Sequence, residues 1–333
     1  MARLHVGMDV SPLVLTRAGT ARHIDSLLAR LREEPGLELR TYRFGGRSRA
    51  LVPLRDVGWY LGVLPALARR DRLDVLHCPT FRAPTRSRVP LVVTFHDLAV
   101  LRHAHAFNRW TRAYSGRLLR RVAAAATRII AVSEFTKREV VELLSVPQHK
   151  VRVIPNAVGF PFVPDGPAAE GDYVLAVSTL EPRKNLARVV DGFRRARLGG
   201  CELRIVGARG WGGVKIDAER GVRWLGEVTD DELARLYRGA RCVAYVSLYE
   251  GFGLPVLEAM ASGAPVVTAR GVTAVGEVAG DAAVLVDPLD PDAIAAGLVE
   301  AMERRDELVA SGLARAAAFD WRAVASATVD VYR

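Results

Sequence analysis

Residues 242–267 read CVAYVSLYEGFGLPVLEAMASGAPVV, and this stretch decides the class of fold. The apolar run 242–247 has the length and composition of a buried strand. Pro255 suits the first turn of a helix, which continues to about Ala261, and Gly263 suits the position just past its end. A second strand, PVVTA (265–269), follows at once. A strand, a glycine-bearing turn, a helix and another strand form the repeating unit of a parallel α/β sheet. Within the turn, Gly251 and Gly253 let the backbone come close to a ligand, and the free N–H groups of the helix start favour an anion such as phosphate. Glu250 at the strand end and Glu258 one turn into the helix are placed to face the same mouth. Carboxylates repel phosphate but accept hydrogen bonds from hydroxyls. A diphosphate flanked by two hydroxyl-bearing sugars, as in a nucleoside-diphosphate sugar, satisfies the whole arrangement. Spacing alone leaves a plainer alternative open, with Glu258 capping its helix and Glu250 as a surface charge.

The same grammar extends in both directions. Upstream, strand 172–178 leads into STLEPRKN (178–185), so Arg183 and Lys184 stand at a strand's carboxyl end where the next helix should begin. A forked guanidinium and a point-charge ammonium are a sensible pair for a diphosphate, and cations at a helix start otherwise oppose its dipole. A helix over 185–197, strands at 202–206 and 222–226, and a helix opened by the Thr229–Glu232 capping box follow. Strand 282–286 and a helix begun by Asp290-Pro291 close the half. The first half repeats the alternation. Strands are expected at 4–10, 74–78, 90–95, 128–132 and 150–154. Helices are expected where Ile24, Leu27, Leu28 and Leu31 recur, over 108–126, and after the N-cap residue Ser133. Residues 155–172 are rich in Pro and Gly without periodicity and read as a linker and hinge. The expected architecture is α/β: two Rossmann-like, doubly wound parallel-sheet domains facing a central cleft, covering 1–160 and 161–318.

Composition narrows the function. The chain has 333 residues, half of them hydrophobic, which suits two globular domains. No uncharged apolar run is long enough to span a bilayer and the first residues lack a signal-peptide core. Three cysteines at unrelated spacings suit a reduced, cytoplasmic protein and make neither a disulfide framework nor a zinc site. No acidic pair has metal-binding character, so no metal is expected. The net charge of +10 is uneven: residues 36–132 hold 18 arginines against five acids, a net +13, leaving the remainder at −3. Such a basic half is either an ordinary solvated surface or a match for an anionic membrane or acceptor. Nucleic acid is not expected, since stacking aromatics are not interleaved with the arginines. The stretch 109–128 carries six arginines and no acid and is the candidate for contact with an anionic membrane, at its inner face.

Several motifs, in order and in position, resemble one family. EGFGLPVLEAMASGAPVV with its E-x7-E glutamates, STLEPRKN, IIAVSEFTKREVVELL, KVRVIPNAV and TFHDL are similar to the retaining GT-B glycosyltransferases of family 4, in the branch of O-antigen mannosyltransferases. The resemblance spans nearly the whole chain. It implies an acceptor-binding first domain, a nucleotide-sugar-binding second domain and a terminal helix, about 319–333, that returns to the first. It further implies that Arg183 and Lys184 hold the diphosphate and that Glu250 contacts the transferred sugar. The amides of Gly251, Phe252, Gly253 and Leu254 lie along sugar and phosphate, Glu258 binds the ribose, and Val228 lies near the base. Gly19 leaves room for the diphosphate. His96, at the end of strand 90–95, lies near the reacting sugar, although a lone histidine is often simply packed. Asp97 beside it orients His96, touches the acceptor or caps a turn. Many relatives carry a Gly-Arg about six residues before the lysine. Here Ser178-Thr179 stands in that region, so Arg183 must supply the arginine.

The implied chemistry is front-face transfer with retention, because no carboxylate is placed as a nucleophile on the acceptor side. The donor implied is GDP-mannose, with UDP- and dTDP-sugars open. The acceptor is a glycan, a lipid-linked oligosaccharide or a small molecule. Other classes fit less well. A dinucleotide-dependent oxidoreductase needs G-x-G-x-x-G after a first strand, and GARGWGG (207–213) lacks that spacing. A non-catalytic nucleotide-sugar-binding protein has no need of all four charged residues. A phosphorylase with a pyridoxal cofactor is ordinarily longer.

Overall fold

A computed structural model describes residues 3–15, 19–46, 51, 54–103, 109–210, 212–213, 221–271 and 273–333. The chain divides into two compact units, Met1–Asn156 with Trp321–Arg333, and Ala157–Asp320.

The first unit opens with β1 (Leu4–Asp9), the short α1 (Pro12–Leu15), α2 (Gly19–Leu31) and β2 (Leu37–Tyr42). A π-helical stretch, Leu54–Val63, runs into α3 (Leu64–Arg70). Then come β3 (Val75–Cys78), β4 (Leu91–Phe95), α4 (Ala99–Arg102), α5 (Arg109–Ala125), β5 (Arg128–Ala131), α6 (Glu134–Leu144) and β6 (Val151–Val153). All six strands are parallel, in the order β2-β1-β3-β4-β5-β6. β3 and β4 are buried at every residue, as expected for strands covered on both faces. β2 escaped notice in the sequence because LELRTY, at the sheet edge, is mostly half-buried or exposed and has no apolar run. The helix expected from Ile24, Leu27, Leu28 and Leu31 is α2, with all four buried. Ser133 caps α6, its Oγ accepting from the Thr136 amide at 3.0 Å.

The second unit holds β7 (Tyr173–Val177), a 3-10 turn at Pro182–Lys184, α7 (Leu186–Ala196), β8 (Glu202–Val206), β9 (Val222–Gly226), α8 (Asp230–Gly239) and β10 (Cys242–Tyr245). It continues through α9 (Leu254–Ala261), β11 (Val266–Ala269), α10 (Ala274–Ala279), β12 (Val284–Val286), α11 (Pro291–Glu303) and α12 (Arg305–Ala317). Its parallel sheet runs β12-β11-β10-β7-β8-β9. Thr229 Oγ1 accepts from the Glu232 amide at 3.2 Å, and Asp290 from the Asp292 amide at 2.9 Å, so both expected N-caps form. α7 and α11 approach closely because Gly192 lies between them; a Cβ there would stand 2.7 Å from Ile294.

The chain crosses between units at Asn156/Ala157 and Asp320/Trp321, so only the first two residues of the expected linker lie before the crossing. Residues 157–172 are held on the second unit. Phe162 is buried edge-on against Tyr237, and the Arg238 guanidinium donates to the carbonyls of Pro161, Val163 and Pro167. A proline-rich segment has no regular hydrogen bonding of its own, yet an arginine can satisfy its carbonyls one by one. After the second crossing, α13 (Trp321–Tyr332) packs on α2, and the Tyr332 hydroxyl meets His77 Nδ1 at 2.7 Å. No described helix is long and apolar enough to cross a membrane.

Candidate functional site

In the second unit the chain winds outward from β7 through β8 to β9, then returns to place β10 on the other side of β7. Loops leaving the carboxyl ends of β7 and β10 therefore part in opposite directions, opening the crevice where parallel sheets bind ligands. STLEPRKN leaves β7 and SLYEGFG leaves β10, and the Leu248 amide donates to the Arg183 carbonyl at 2.8 Å, tying the two loops together.

Three of the residues expected in the site meet here. Lys184 Nζ lies 2.5 Å from Glu250 Oε1, and Arg183 Nη1 lies 3.4 Å from Oε2. The side chains of Lys184 and Glu250 are each only 10% exposed, so the pair is largely screened from water. Arg183 and Lys184 do not begin α7. They occupy the preceding 3-10 turn, and Asn185 at φ 60° redirects the chain into the helix. Asn185 can hold that conformation because its Nδ2 donates to the carbonyls of Val246 and Pro288. The cations thus stand outside the helix and avoid its dipole.

Two participants were missed in the sequence. Glu181 Oε2 takes the Arg183 Nε at 2.8 Å, while its Oε1 accepts from Thr179 Oγ1 at 2.9 Å. The buried Tyr245 donates its hydroxyl to Glu250 Oε1 at 2.7 Å and accepts from Lys184 Nζ at 3.1 Å. Burial and the Glu250 charge push the phenol well up, so it keeps the proton it donates. An apolar strand such as CVAYVS carries no mark that its tyrosine turns toward a carboxylate.

Burial pushes the Glu250 carboxyl up, but Lys184, Arg183 and the Tyr245 hydrogen bond together outweigh it and hold Glu250 below the usual range. A carboxylate depressed on folding contributes stability above its unfolded pKa, and that contribution is lost as pH falls through the folded value. Tyr245→Phe removes one hydrogen bond to a charged acceptor and should raise the Glu250 pKa. The expected outcome is an acid limb of the kcat/KM profile displaced to higher pH, with activity at neutral pH down on the order of tenfold. An acid limb that stays in place would show that Tyr245 merely fills space.

Glu250's backbone is also anchored: its amide donates to Thr273 Oγ1 at 3.0 Å, and its carbonyl accepts from the Ala274 amide at 3.2 Å. Gly251, Phe252 and Gly253 are buried in the following turn, and Leu254 begins α9. Gly253 has φ 101°, which disfavours any side chain, and a Cβ there would also approach Val275 to 2.7 Å. Glu258 is 2% exposed, and the Tyr237 hydroxyl donates to its Oε2 at 3.2 Å. The two glutamates therefore have separate surroundings, Glu250 among cations and Glu258 between α8 and α9. Val228 is half-buried just after β9. Ser178 Oγ, at the end of β7, is buried without a hydrogen-bond partner.

The other expected residues belong to the first unit, whose winding reverses between β1 and β3. A cavity of about 240 Å³ at that end of the sheet is lined by Pro12, Thr20, Thr80, Phe81, Arg82, His96 and Asp97. Gly19 opens α2 beside Thr20 and is half-buried. His96 Nε2 lies 3.0 Å from the Pro79 carbonyl, which can only accept, so Nε2 carries the proton. Burial lowers the His96 pKa, the Pro79 bond and Asp97 offsetting it only in part. The imidazole is then neutral, with its Nδ1 lone pair available to a hydroxyl. Asp97 Oδ1 accepts from the Ala99 amide at 3.0 Å, the turn-capping one of its three expected roles. Among the described residues, no group of three or more His, Cys, Asp or Glu side chains is gathered where it could hold a metal ion.

Residues 7–159 match the family described as Glycosyltransferase Family 4, and residues 171–304 match Glycosyl transferases group 1. The chain is 32% identical to the O-antigen chain mannosyltransferase B of Escherichia coli, over 92% of this chain and 82% of that protein. Among solved structures, it is similar to the sucrose-phosphate synthase of Thermosynechococcus elongatus, with a TM-score of 0.78 at 17% identity, covering 99% of this chain and 98% of that one. It is also similar to Anabaena HepE in complex with UDP-glucose, with a TM-score of 0.73 at 17% identity, covering 98% and 99%.

Proposed function

This chain belongs to glycosyltransferase family 4 and is a glycosyltransferase with the GT-B fold, and we propose that it moves a hexose, with retention and without a metal, from a nucleoside-diphosphate sugar to a glycan, lipid-linked or small-molecule acceptor. Mannose from GDP-mannose is the favoured donor, in keeping with the relative's name. The UDP-glucose held by a structural neighbour keeps UDP-sugars in view, with dTDP-sugars behind them. Membership of this family leaves no need for the oxidoreductase or the non-catalytic binding protein.

One observation carries the proposal: Lys184, Arg183 and Glu250 converge at the switch point of the second sheet. In the donor complex the diphosphate takes the two cations. Glu250 turns its lone pairs to the sugar hydroxyls, with Tyr245 keeping it in place. The Gly251–Leu254 amides and the start of α9 lie along the sugar and phosphate, and the Ser178 hydroxyl supplies a further donor. Glu258 grips the ribose and Val228 borders the base. For the first unit, the resemblance assigns Gly19 as room for the diphosphate and His96 to the reacting sugar, and the acceptor-type Nδ1 of His96 suits a hydroxyl.

In the transfer step, the bond from the anomeric carbon to the diphosphate oxygen breaks and the bond to the acceptor oxygen forms on the same face. The acceptor's proton passes to the departing phosphate oxygen. Charge accumulates on the diphosphate as this happens, which is where fixed cations accelerate most. Arg117, Arg120 and Arg121, exposed on α5, attract the anionic surface of a cytoplasmic membrane face where a lipid-linked acceptor would reside. The side chains of residues 109–115, in the same expected stretch, lie outside the described residues.

The test is release of nucleotide from GDP-, UDP-, dTDP- and ADP-sugars in EDTA, with and without candidate acceptors. One donor should be consumed, and Glu250→Ala should abolish that consumption. Calorimetry with the nucleoside diphosphate alone separates the ends of the site. Glu258→Gln, which keeps the volume, should weaken that binding roughly 10-fold, as for loss of a charged hydrogen-bond acceptor. Glu250→Ala should leave it within a few fold. Equal losses in both variants would deny Glu258 its separate ribose role. If no nucleoside diphosphate binds at all, the donor site itself is refuted.

A further inference from the structure

The π-helical stretch Leu54–Val63 buries an ion pair beside its aromatic residues and turns its aliphatic residues outward. It buries Arg55, Asp56, Trp59 and Tyr60 and leaves Leu54 57%, Val57 49%, Leu61 42% and Val63 48% exposed. A surface helix ordinarily turns charges to water and apolar groups to the core. Here the Arg55–Asp56 ion pair points inward, Nε to Oδ1 at 2.9 Å, and Arg82 approaches the same oxygen at 3.4 Å. That inward pairing commits the helix to its orientation. Of six large hydrophobic side chains exposed among the described residues, four lie within these ten residues. A cluster of that kind marks a surface that is covered in use.

Charge identifies what covers it. Leu61 shares a hollow of about 700 Å³ with Arg86 and Arg121, and the latter belongs to the arginine face of α5. Directly after the helix, Arg69, Arg86 and Arg88 line a second hollow with Pro65 and Ala66. The apolar cluster is thus bordered by arginines, in the part of the chain that carries the net +13. A hydrophobic protein partner would match the leucines and valines but leave this collar of guanidinium groups to be desolvated. An anionic bilayer satisfies both, since acyl chains receive the apolar side chains and headgroup phosphates receive the arginines, whose stems extend along the boundary.

We propose that Leu54–Val63 is a membrane-insertion element, with Leu54, Val57, Leu61 and Val63 entering the bilayer interface and Arg69, Arg86 and Arg121 holding anionic headgroups around it. The inference rests on the peripheral attachment through α5 proposed above and adds an apolar component to it. The two components differ in a measurable way: attraction between exposed charges is screened by salt, whereas apolar insertion is not.

The experiment is co-sedimentation of the full chain with vesicles of phosphatidylcholine alone or mixed with phosphatidylglycerol, at low and high salt. The parent should bind the mixed vesicles and retain a salt-resistant fraction. Leu54→Ser/Val57→Ser/Leu61→Ser should lose that fraction and bind at least about tenfold more weakly at low salt. Its melting temperature and its nucleotide binding should be unchanged, because the altered side chains are exposed and lie outside the donor site. Arg117→Glu/Arg120→Glu/Arg121→Glu should mainly lose the salt-sensitive part. Parent-like binding by the serine variant would overturn insertion, while loss in the glutamate variant would still uphold attachment through α5. A parent that dimerises through this face, with the serine variant monomeric and binding vesicles as the parent does, would overturn the proposal in favour of a second copy. Absence of any vesicle binding by the parent would overturn insertion and attachment together.

Discussion

Lys184→Ala is expected to lower kcat by roughly 10²–10³-fold, equivalent to about 2.7–4 kcal/mol of barrier, the loss typical when one fixed charge-stabilising donor is removed. The reason lies in when the charge appears. In the bound donor the diphosphate is already anionic, and both Lys184 and Arg183 contribute to holding it. As the glycosidic bond loosens, further negative charge gathers on the leaving oxygen, and the ammonium gains most at that moment. The effect should therefore fall more on kcat than on KM. Arg183, only 16% exposed and oriented by Glu181, remains in the variant to hold Glu250, so folding should survive. Lys184→Arg should recover part of the rate, limited because a planar fork does not reproduce a compact ammonium 2.5 Å from Glu250. Steady-state donor turnover, read beside a thermal melt, checks both. A raised KM with an unchanged kcat would mean that Lys184 binds ground state and transition state alike.

The first unit should lose stability steeply as pH falls below about 6.5, while the second does not. All seven histidines lie within residues 1–156, and three of them are gathered in one place. His77 is fully buried, bonded through Nδ1 to Tyr332 and through Nε2 to Thr94, and burial takes its pKa down to about 3. His23 stands edge-on to His96 at 4.9 Å and beside Trp321; burial first, then its neighbouring histidines, take it well below its ordinary value. Burial lowers His96 as well. Each imidazole is neutral when folded and takes up a proton near pH 6.5 when unfolded. Stability is thus complete above that pH and declines as pH falls toward the folded values. Each such group adds up to about 1.4 kcal/mol per pH unit while it stays neutral in the fold. Asp9, raised by burial despite bonds from Ser11, Tyr60 and Trp59, binds a proton in the opposite sense and offsets part of that slope where it is protonated. Hydrogen exchange between pH 7.5 and 5.5, followed separately in β3–β4 and in β7–β10, is the measurement. Equal protection losses in both units would assign the sensitivity elsewhere.

How far the site could be read in advance differs from residue to residue. Arg183, Lys184 and Glu250 were legible because the chemistry of a diphosphate and of sugar hydroxyls demands those side chains at strand ends. Tyr245 and Glu181 were not. Each sits in a local pattern with an ordinary explanation, and its importance comes from which other loop it touches. Glu258 was legible as a position but not as a surrounding. Its spacing from Glu250 suggests a shared mouth, whereas packing of α8 on α9 gives it Tyr237 as partner. The helix 54–63 offered no clear signal, since its sequence interleaves charge with apolar residues at no simple period.

Features that depend on a few neighbouring residues are readable along the chain. Gly253 admits a positive φ, Pro255 suits the first turn of α9, Ser133, Thr229 and Asp290 cap their helices, and apolar runs between them make parallel strands. Those are local torsional and hydrogen-bonding preferences, satisfied within one or two turns of chain. Which strand lies beside which, and with it the reversals at β7/β10 and β1/β3 that bring distant loops together, is set by long-range packing. It alone decided that 157–172 belongs to the second unit, that His23, His77 and His96 meet near the returning α13, and that Leu54–Val63 turns its ion pair inward. Those outcomes follow from the burial of whole faces at once, and no short stretch of sequence contains enough of a face to specify them.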